Sequence, residues 1–137
     1  MQTLPSTPYL TLYLHEAAKS VREISWHSYA TSQQFRDALL RALDLFAQHQ
    51  GQGWISDDCH RGAVRPRDLE WPFVTAPPRL AELGLRRRAL LESQDVLNRR
   101  TIDLAYQQNE PTFAFELRRF TDLTEARAWA LDPNRPA

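Results

Sequence analysis

With 137 residues, 42% of them hydrophobic and 25% charged, the chain has the size and composition of one ordinary globular domain. At this length folding buries about 70% of the surface that the unfolded chain exposes, with no need of a disulfide or a structural metal. Seventeen basic residues balance seventeen acidic ones, which argues against general nucleic-acid binding, an activity that depends on many uncompensated phosphate contacts.

The single cysteine, Cys59, excludes an intramolecular disulfide and points to a reducing compartment. The first residues carry prolines rather than signal-peptide architecture, and no apolar run approaches the roughly 18 residues of a membrane span. A cytoplasmic protein with no membrane span is the expectation. Lys19 is the one lysine, and between Arg61 and Arg100 nine arginines face five acids, a local excess of four positive charges.

Residues 1–8 are expected to be a flexible N-terminal segment, 9–132 the folded domain and 133–137 a C-terminal tail. Residues 9–15 alternate, with Leu10, Leu12 and Leu14 on one face, and 21–29 repeat the pattern with Ile24 and Trp26. That period of two predicts two strands, and the five residues between them allow only an antiparallel hairpin. Thr31 or Ser32 is placed to cap a helix whose apolar positions Phe35, Leu39, Leu43 and Phe46 recur at helical spacing, with Leu40 beside them and a stop near Gly51. Gly53 then opens Trp54-Ile55, a short strand predicted to be buried on both faces and reached by a parallel crossover. Asp68 to Leu83 reads as a kinked helix or two short ones, interrupted at Pro72, Pro77 and Pro78 and stopped at Gly84. Arg87 to Leu91 reads as a strand, Asp95 to Tyr106 as a helix, and Thr112 to Leu117 as a strand with Phe113, Phe115 and Leu117 on one face. Thr121 or Asp122 caps a last helix through Ala126 and Trp129. The resulting fold class is α/β: a single domain with a mixed sheet of four to five strands, an N-terminal hairpin, and about four helices mainly on one face.

The element order, the Trp54-Ile55-x-Asp57 strand end, Asp68-x-x-Trp71, Arg87-x-Ala89 and the closing Phe120-x-Asp122-x-x-Glu125-Ala126-x-x-Trp129 resemble the small bacterial STAS-like proteins, relatives of the anti-sigma-factor antagonists. The resemblance covers about residues 21–131 and is distributed rather than concentrated in one motif. It implies a sheet with helices packed on it that acts by protein contact rather than turnover. It also implies a phosphorylated serine or threonine at the start of the helix after the third strand. Here that neighbourhood reads Ser56-Asp57-Asp58-Cys59-His60-Arg61. Ser56 is the one hydroxyl available, and a phosphate on it would be repelled by the two acids.

Asp57, Asp58, Cys59 and His60 are metal-ligand types, but consecutive residues cannot all face one ion and no second cluster exists, so no metal is expected. The acids beside Cys59 disfavour its thiolate, and the chain has no Gly-rich phosphate loop and no nucleophile elbow. Neither a catalytic residue nor a cofactor is expected. Arg86, Arg87 and Arg88 with Arg61, Arg65 and Arg67 suit an anion-binding patch, and Trp71, just before Pro72, suits an anchor for a partner. The candidate partner or ligand surface is therefore Asp57, Asp58, Arg61, Arg65, Arg67, Trp71 and Arg87. The expected function is non-enzymatic regulation through a protein partner, the alternative a carrier or sensor of a small apolar or anionic ligand. A homodimer through the open hairpin edge, extended by Tyr9, Tyr13 and Trp26, is a further expectation.

Overall fold

A computed structural model of the chain describes residues 2–4, 7–15, 21–48 and 53–131. The expected turn over 16–20, the first helix's stop near Gly51 and the tail 133–137 lie outside the described residues.

Six strands form one sheet: β1 (Gln2–Thr3), β2 (Leu10–His15), β3 (Val21–Trp26), β4 (Gly53–Asp57), β5 (Arg87–Leu91) and β6 (Glu116–Phe120). Their spatial order is their order along the chain. β1, β2 and β3 are antiparallel neighbours, whereas β3 to β6 are parallel. The strand beyond the expected four to five is β1, contributed by the segment 1–8 that the sequence placed before the domain. It covers part of the hairpin edge, pairing Gln2 with Leu14 and Thr3 with Tyr13.

Because each parallel crossover is right-handed and steps to the next position in the same direction, the three crossover helices fall on one face of the sheet. They are α1 (Ser32–Gln48), α2 (Pro66–Glu82) and α3 (Val96–Asn109). Phe35, Leu43 and Phe46 of α1, Leu69 and Leu80 of α2, and Ile102 and Tyr106 of α3 join Leu10, Leu12, Ile24, Trp26 and Trp54 of the sheet in the main core. α4 (Leu123–Leu131) follows the last strand and packs on the opposite face, where Ala126, Trp129 and Ala130 cover Ile55 and Ala89. This second cover completes the burial of β4 on both faces: Trp54 lies under α1 to α3, and its neighbour Ile55 lies under α4.

Local chemistry explains most element boundaries. At the start of α1, Thr31 Oγ1 accepts from the Gln34 amide at 3.2 Å and Gln34 Oε1 accepts from the Thr31 amide at 2.9 Å, a reciprocal capping box. Asp95 caps α3 by accepting from the Asn98 amide at 2.8 Å, and Asp122 accepts from the Thr124 amide at 3.0 Å at the start of α4. α2 is one continuous helix despite Pro72, Pro77 and Pro78. Each of these prolines removes a backbone hydrogen bond, yet Leu69, Pro72, Ala76, Pro77 and Leu80 form a buried face against the sheet, so packing overrides propensity. The helix ends in a Schellman motif, with Gly84 at φ 89° and the Leu85 and Gly84 amides donating to Leu80 and Ala81.

The strand expected over 112–117 starts later. Glu110–Thr112 forms a single turn of 3-10 helix, and Phe113 and Phe115, stacked at 4.8 Å, precede β6, which begins at Glu116. The Glu116 amide makes the entry into β6 by donating to Arg86 at 3.0 Å.

Candidate functional site

Trp26, Ser56 and Asp58 lie at or just past the carboxyl ends of β3 and β4, the side of an α/β sheet on which loops build binding sites. α2 arches over this end, and between it and the sheet is a cavity of about 50 Å³. Its apolar wall includes Ile24, Phe35, Leu69, Phe73 and Ile102, and its polar groups belong to Ser56, Asp58, Arg61, Arg88 and Tyr106.

Strand alternation decides which arginine of the 86–88 run enters the cavity. Arg88 shares the face of Leu90, beneath α1 to α3. Its guanidinium lies 5.8 Å from the Trp54 ring and 5.4 Å from the Tyr106 ring, and it donates to Ser56 Oγ at 3.3 Å. Arg87 points to the other face and donates to the Trp129 carbonyl at 3.2 Å. Arg86 is exposed. The expected patch of Arg61, Arg65, Arg67 and Arg86 to Arg88 is therefore not one patch: of its six arginines, Arg61 and Arg88 line the cavity.

The loop after β4 places the remaining groups. Asp57 turns away from the cavity: it accepts from the Cys59 amide at 3.1 Å and from Ser25 Oγ at 3.4 Å, holding the loop's first turn. Asp58 turns inward and is 2% exposed. Its Oδ2 lies 3.7 Å from Arg61 Nη1, and the Arg61 guanidinium lies against both aromatic rings, 4.7 Å from that of Trp26 and 4.6 Å from that of Phe35. Gly62 lets the loop approach the 28–29 backbone so closely that a Cβ would sit 2.4 Å from Tyr29 Cα. Asn98, at the start of α3, clamps the same loop: its amide group donates to the carbonyls of Arg61 at 3.2 Å and Gly62 at 3.1 Å, and its oxygen accepts from the Val64 amide at 3.0 Å.

The charges of this cluster are costly to keep. Burial, with the neighbouring Asp57 charge, raises the Asp58 carboxyl above the usual range despite Arg61 and Arg88. Burial lowers Arg61 despite Asp58. Desolvation thus outweighs mutual attraction for both partners. Among the described residues, five buried side-chain polar atoms have no protein partner, and four belong to residues lining this cavity: Asp58 Oδ1, Arg61 Nη2, Arg88 Nε and Trp54 Nε1.

The other candidates lie elsewhere. Arg65 pairs with Asp68 at 3.0 Å and also donates to Ser32 Oγ, tying the starts of α1 and α2 together. Arg67 is exposed. Trp71 is half-buried on the outer side of α2, 5.5 Å from the Arg36 guanidinium. Ser56 is 4% exposed within β4, so its hydroxyl faces the cavity rather than the surface that a kinase would approach. Trp26, expected on a dimer patch, is buried and stacks on Phe35 at 5.4 Å. The described residues contain no group of three or more potential metal ligands and no helix long and apolar enough to cross a membrane. Burial and the Asp57 charge raise the Cys59 thiol, which disfavours its nucleophilic form.

Asn98 and Tyr106 were not singled out from the sequence, and Arg88 entered only as one of the six arginines of the expected anion patch, not in the candidate surface, which took Arg87. The available signal was the period of two in β5, which requires Arg87 and Arg88 to take opposite faces. Comparison with protein-family models, with characterised proteins and with solved structures finds no match to this chain.

Proposed function

We propose that this domain is a non-enzymatic binding module, a carrier or sensor that captures a small ligand with an anionic head in the cavity beneath α2. The carrying observation is the convergence of Asp58, Arg61 and Arg88, each with a buried unpartnered polar atom, on a cavity whose wall is mostly apolar. The buried charges of Asp58 and Arg61, whose ionised forms burial disfavours, weaken the fold, and an apolar replacement of similar volume would be neutral or stabilising. A ligand that completes their hydrogen bonds gives them a use, and a concave apolar site with a few convergent polar groups is the usual form of such a site.

The regulatory role implied by the STAS-like resemblance fits as the readout of occupancy. Trp71, on the outer side of α2, directly precedes Pro72 and Phe73, which line the cavity. Movement of these two residues on binding would reach the half-buried Trp71 ring, an aromatic face suited to a protein partner.

Native mass spectrometry of freshly purified protein, followed by a thermal-shift screen against small organic anions, tests the binding role. Expected are an extractable adduct or a raised melting temperature, either of them lost in Arg61→Gln and Arg88→Gln. A bare-chain mass together with no stabilising anion would remove the support for a ligand site.

A further inference from the structure

We propose that the outer face of α3 is the contact through which two copies of this chain pair, antiparallel and two-fold symmetric, with Arg100 of each copy against Asp103 of the other.

Exposure singles out this helix. Three of the six exposed large hydrophobic side chains among the described residues lie on α3: Val96 is 66% exposed, Leu97 78% and Leu104 48%. The helix packs on the core through Asn98, Ile102 and Tyr106, so these three project from its opposite side. An open groove runs along that side, lined by Val96, Arg99, Arg100, Asp103, Leu104 and Gln107, all of α3. The hairpin edge expected to carry a dimer is, by contrast, partly covered by β1, and Trp26 beside it is buried.

Spacing fits this face to another helix. Val96, Arg100, Asp103 and Gln107 follow one another at four, three and four residues, the alternation of a coiled-coil seam. Charge then says which helix. A basic partner would be repelled by Arg100 and an acidic one by Asp103, whereas an antiparallel second copy offers each of them its opposite. With the two-fold axis midway between Arg100 and Asp103, each Arg100 faces Asp103 of the other copy, Val96 faces Gln107, and Leu97 and Leu104 flank the seam. An axis through Arg100 would set the two arginines against each other, and one through Asp103 the two acids, so charge fixes the register. Among the described residues Arg100 has no ion pair, and Asp103 has a loose one, to Arg119 Nε at 3.7 Å. A carboxylate has room for a second guanidinium.

The helix has 14 residues, a length of about 21 Å. A helix pair of that length buries less than the roughly 1,200 Å² of a standard interface, so the dimer should depend on concentration.

Sedimentation equilibrium of the whole chain from micromolar to millimolar concentration tests the pairing. The wild type is expected to show a monomer–dimer equilibrium that weakens as salt is raised, because exposed charges are screened. Arg100→Asp and Asp103→Arg should each weaken it at least about tenfold, since each sets like charges face to face. An equimolar mixture of these two variants should dimerise again, as should the double variant, because both restore opposite charges across the axis. Leu97→Ser removes a side chain that is 78% exposed and should weaken the dimer while leaving the fold intact by circular dichroism. A wild type that stays monomeric at millimolar concentration overturns the pairing. So does a dimer that neither Arg100→Asp nor Leu97→Ser weakens, whether or not Asp103→Arg folds, because it must use another face such as the hairpin edge. Loss in both charge variants with no recovery in the mixture or the double variant, all of them folded, overturns the contact of Arg100 with Asp103.

Discussion

Asn98→Ala removes the three hydrogen bonds by which α3 holds the loop carrying Arg61. Asn98 is 6% exposed, so its own amide has little access to water. The carbonyls of Arg61 and Gly62 and the Val64 amide sit in a half-buried loop that water partly reaches. At about 1 kcal/mol net per hydrogen bond the loss is about 3 kcal/mol, and the better helix propensity of alanine returns about 0.5 kcal/mol. The expected destabilisation is about 2–2.5 kcal/mol. With a urea slope of about 1–3 kcal/mol/M, the unfolding midpoint should fall by about 1 M. Asn98→Asp keeps an acceptor for the Val64 amide but turns a negative charge toward two carbonyl oxygens, so it should be no more stable than the alanine variant. A midpoint within about 0.2 M of wild type for Asn98→Ala, or full recovery in Asn98→Asp, would refute the clamp.

The two described glycines with structural demands should fail differently when changed to alanine. Gly62→Ala places a Cβ against the Tyr29 backbone and should cost about 1–3 kcal/mol as overpacking, read by chemical denaturation. Gly84→Ala meets no atom within 4 Å but sits at φ 89°, so its cost of about 1–2 kcal/mol should come from the left-handed backbone alone. Asp58→Asn should melt above wild type at pH 7. Its raised carboxyl binds a proton more tightly folded than unfolded, so the wild type loses stability as pH rises from the unfolded value of about 4, and the gap should close on acidification. A gap independent of pH would contradict this account. Glu23→Gln should behave oppositely. Burial acts to raise Glu23, but hydrogen bonds from Arg127 at 2.7 and 2.8 Å and from His15 at 3.0 Å outweigh it and hold the carboxyl below its usual range. Its contribution is present above the unfolded value and lost as pH falls through the lowered one. Because Arg127 is one-third exposed, the loss at pH 7 should be about 2 kcal/mol rather than the full value of a buried pair, shrinking toward pH 3 in thermal melts.

The order of strands and helices was legible in the residues themselves. Alternation in 10–15 and 21–26, the capping residues Thr31, Asp95 and Asp122, the stop at Gly84 and the apolar run at Trp54-Ile55 are local signals, and backbone hydrogen bonding obeys them directly. The loop after β4 was also legible as the place to look, because acids ending a buried strand mark a carboxyl-end site. β1 was not: two exposed residues carry no period, and Gln2–Thr3 became a strand because β2 offered an unpaired edge. The aromatic run at 113–117 alternates like a strand, yet β6 begins only at Glu116, and Phe113 ahead of it stacks on Phe115 and Phe73.

What the sequence by itself determined is an α/β domain with a crossover-built parallel sheet and a polar loop beyond its central strand. Only the tertiary structure decided that Asp57 braces that loop while Asp58 enters the cavity, that Arg88 rather than Arg87 lines it with Arg61, and that Asn98, thirty-four or more residues away, holds the Arg61 loop in place. The physical reason is that a period of two tells which residues share a face but not which face is which. That choice depends on where the helices pack, and it is made by the burial of Trp54 and Ile55 on opposite sides of the sheet.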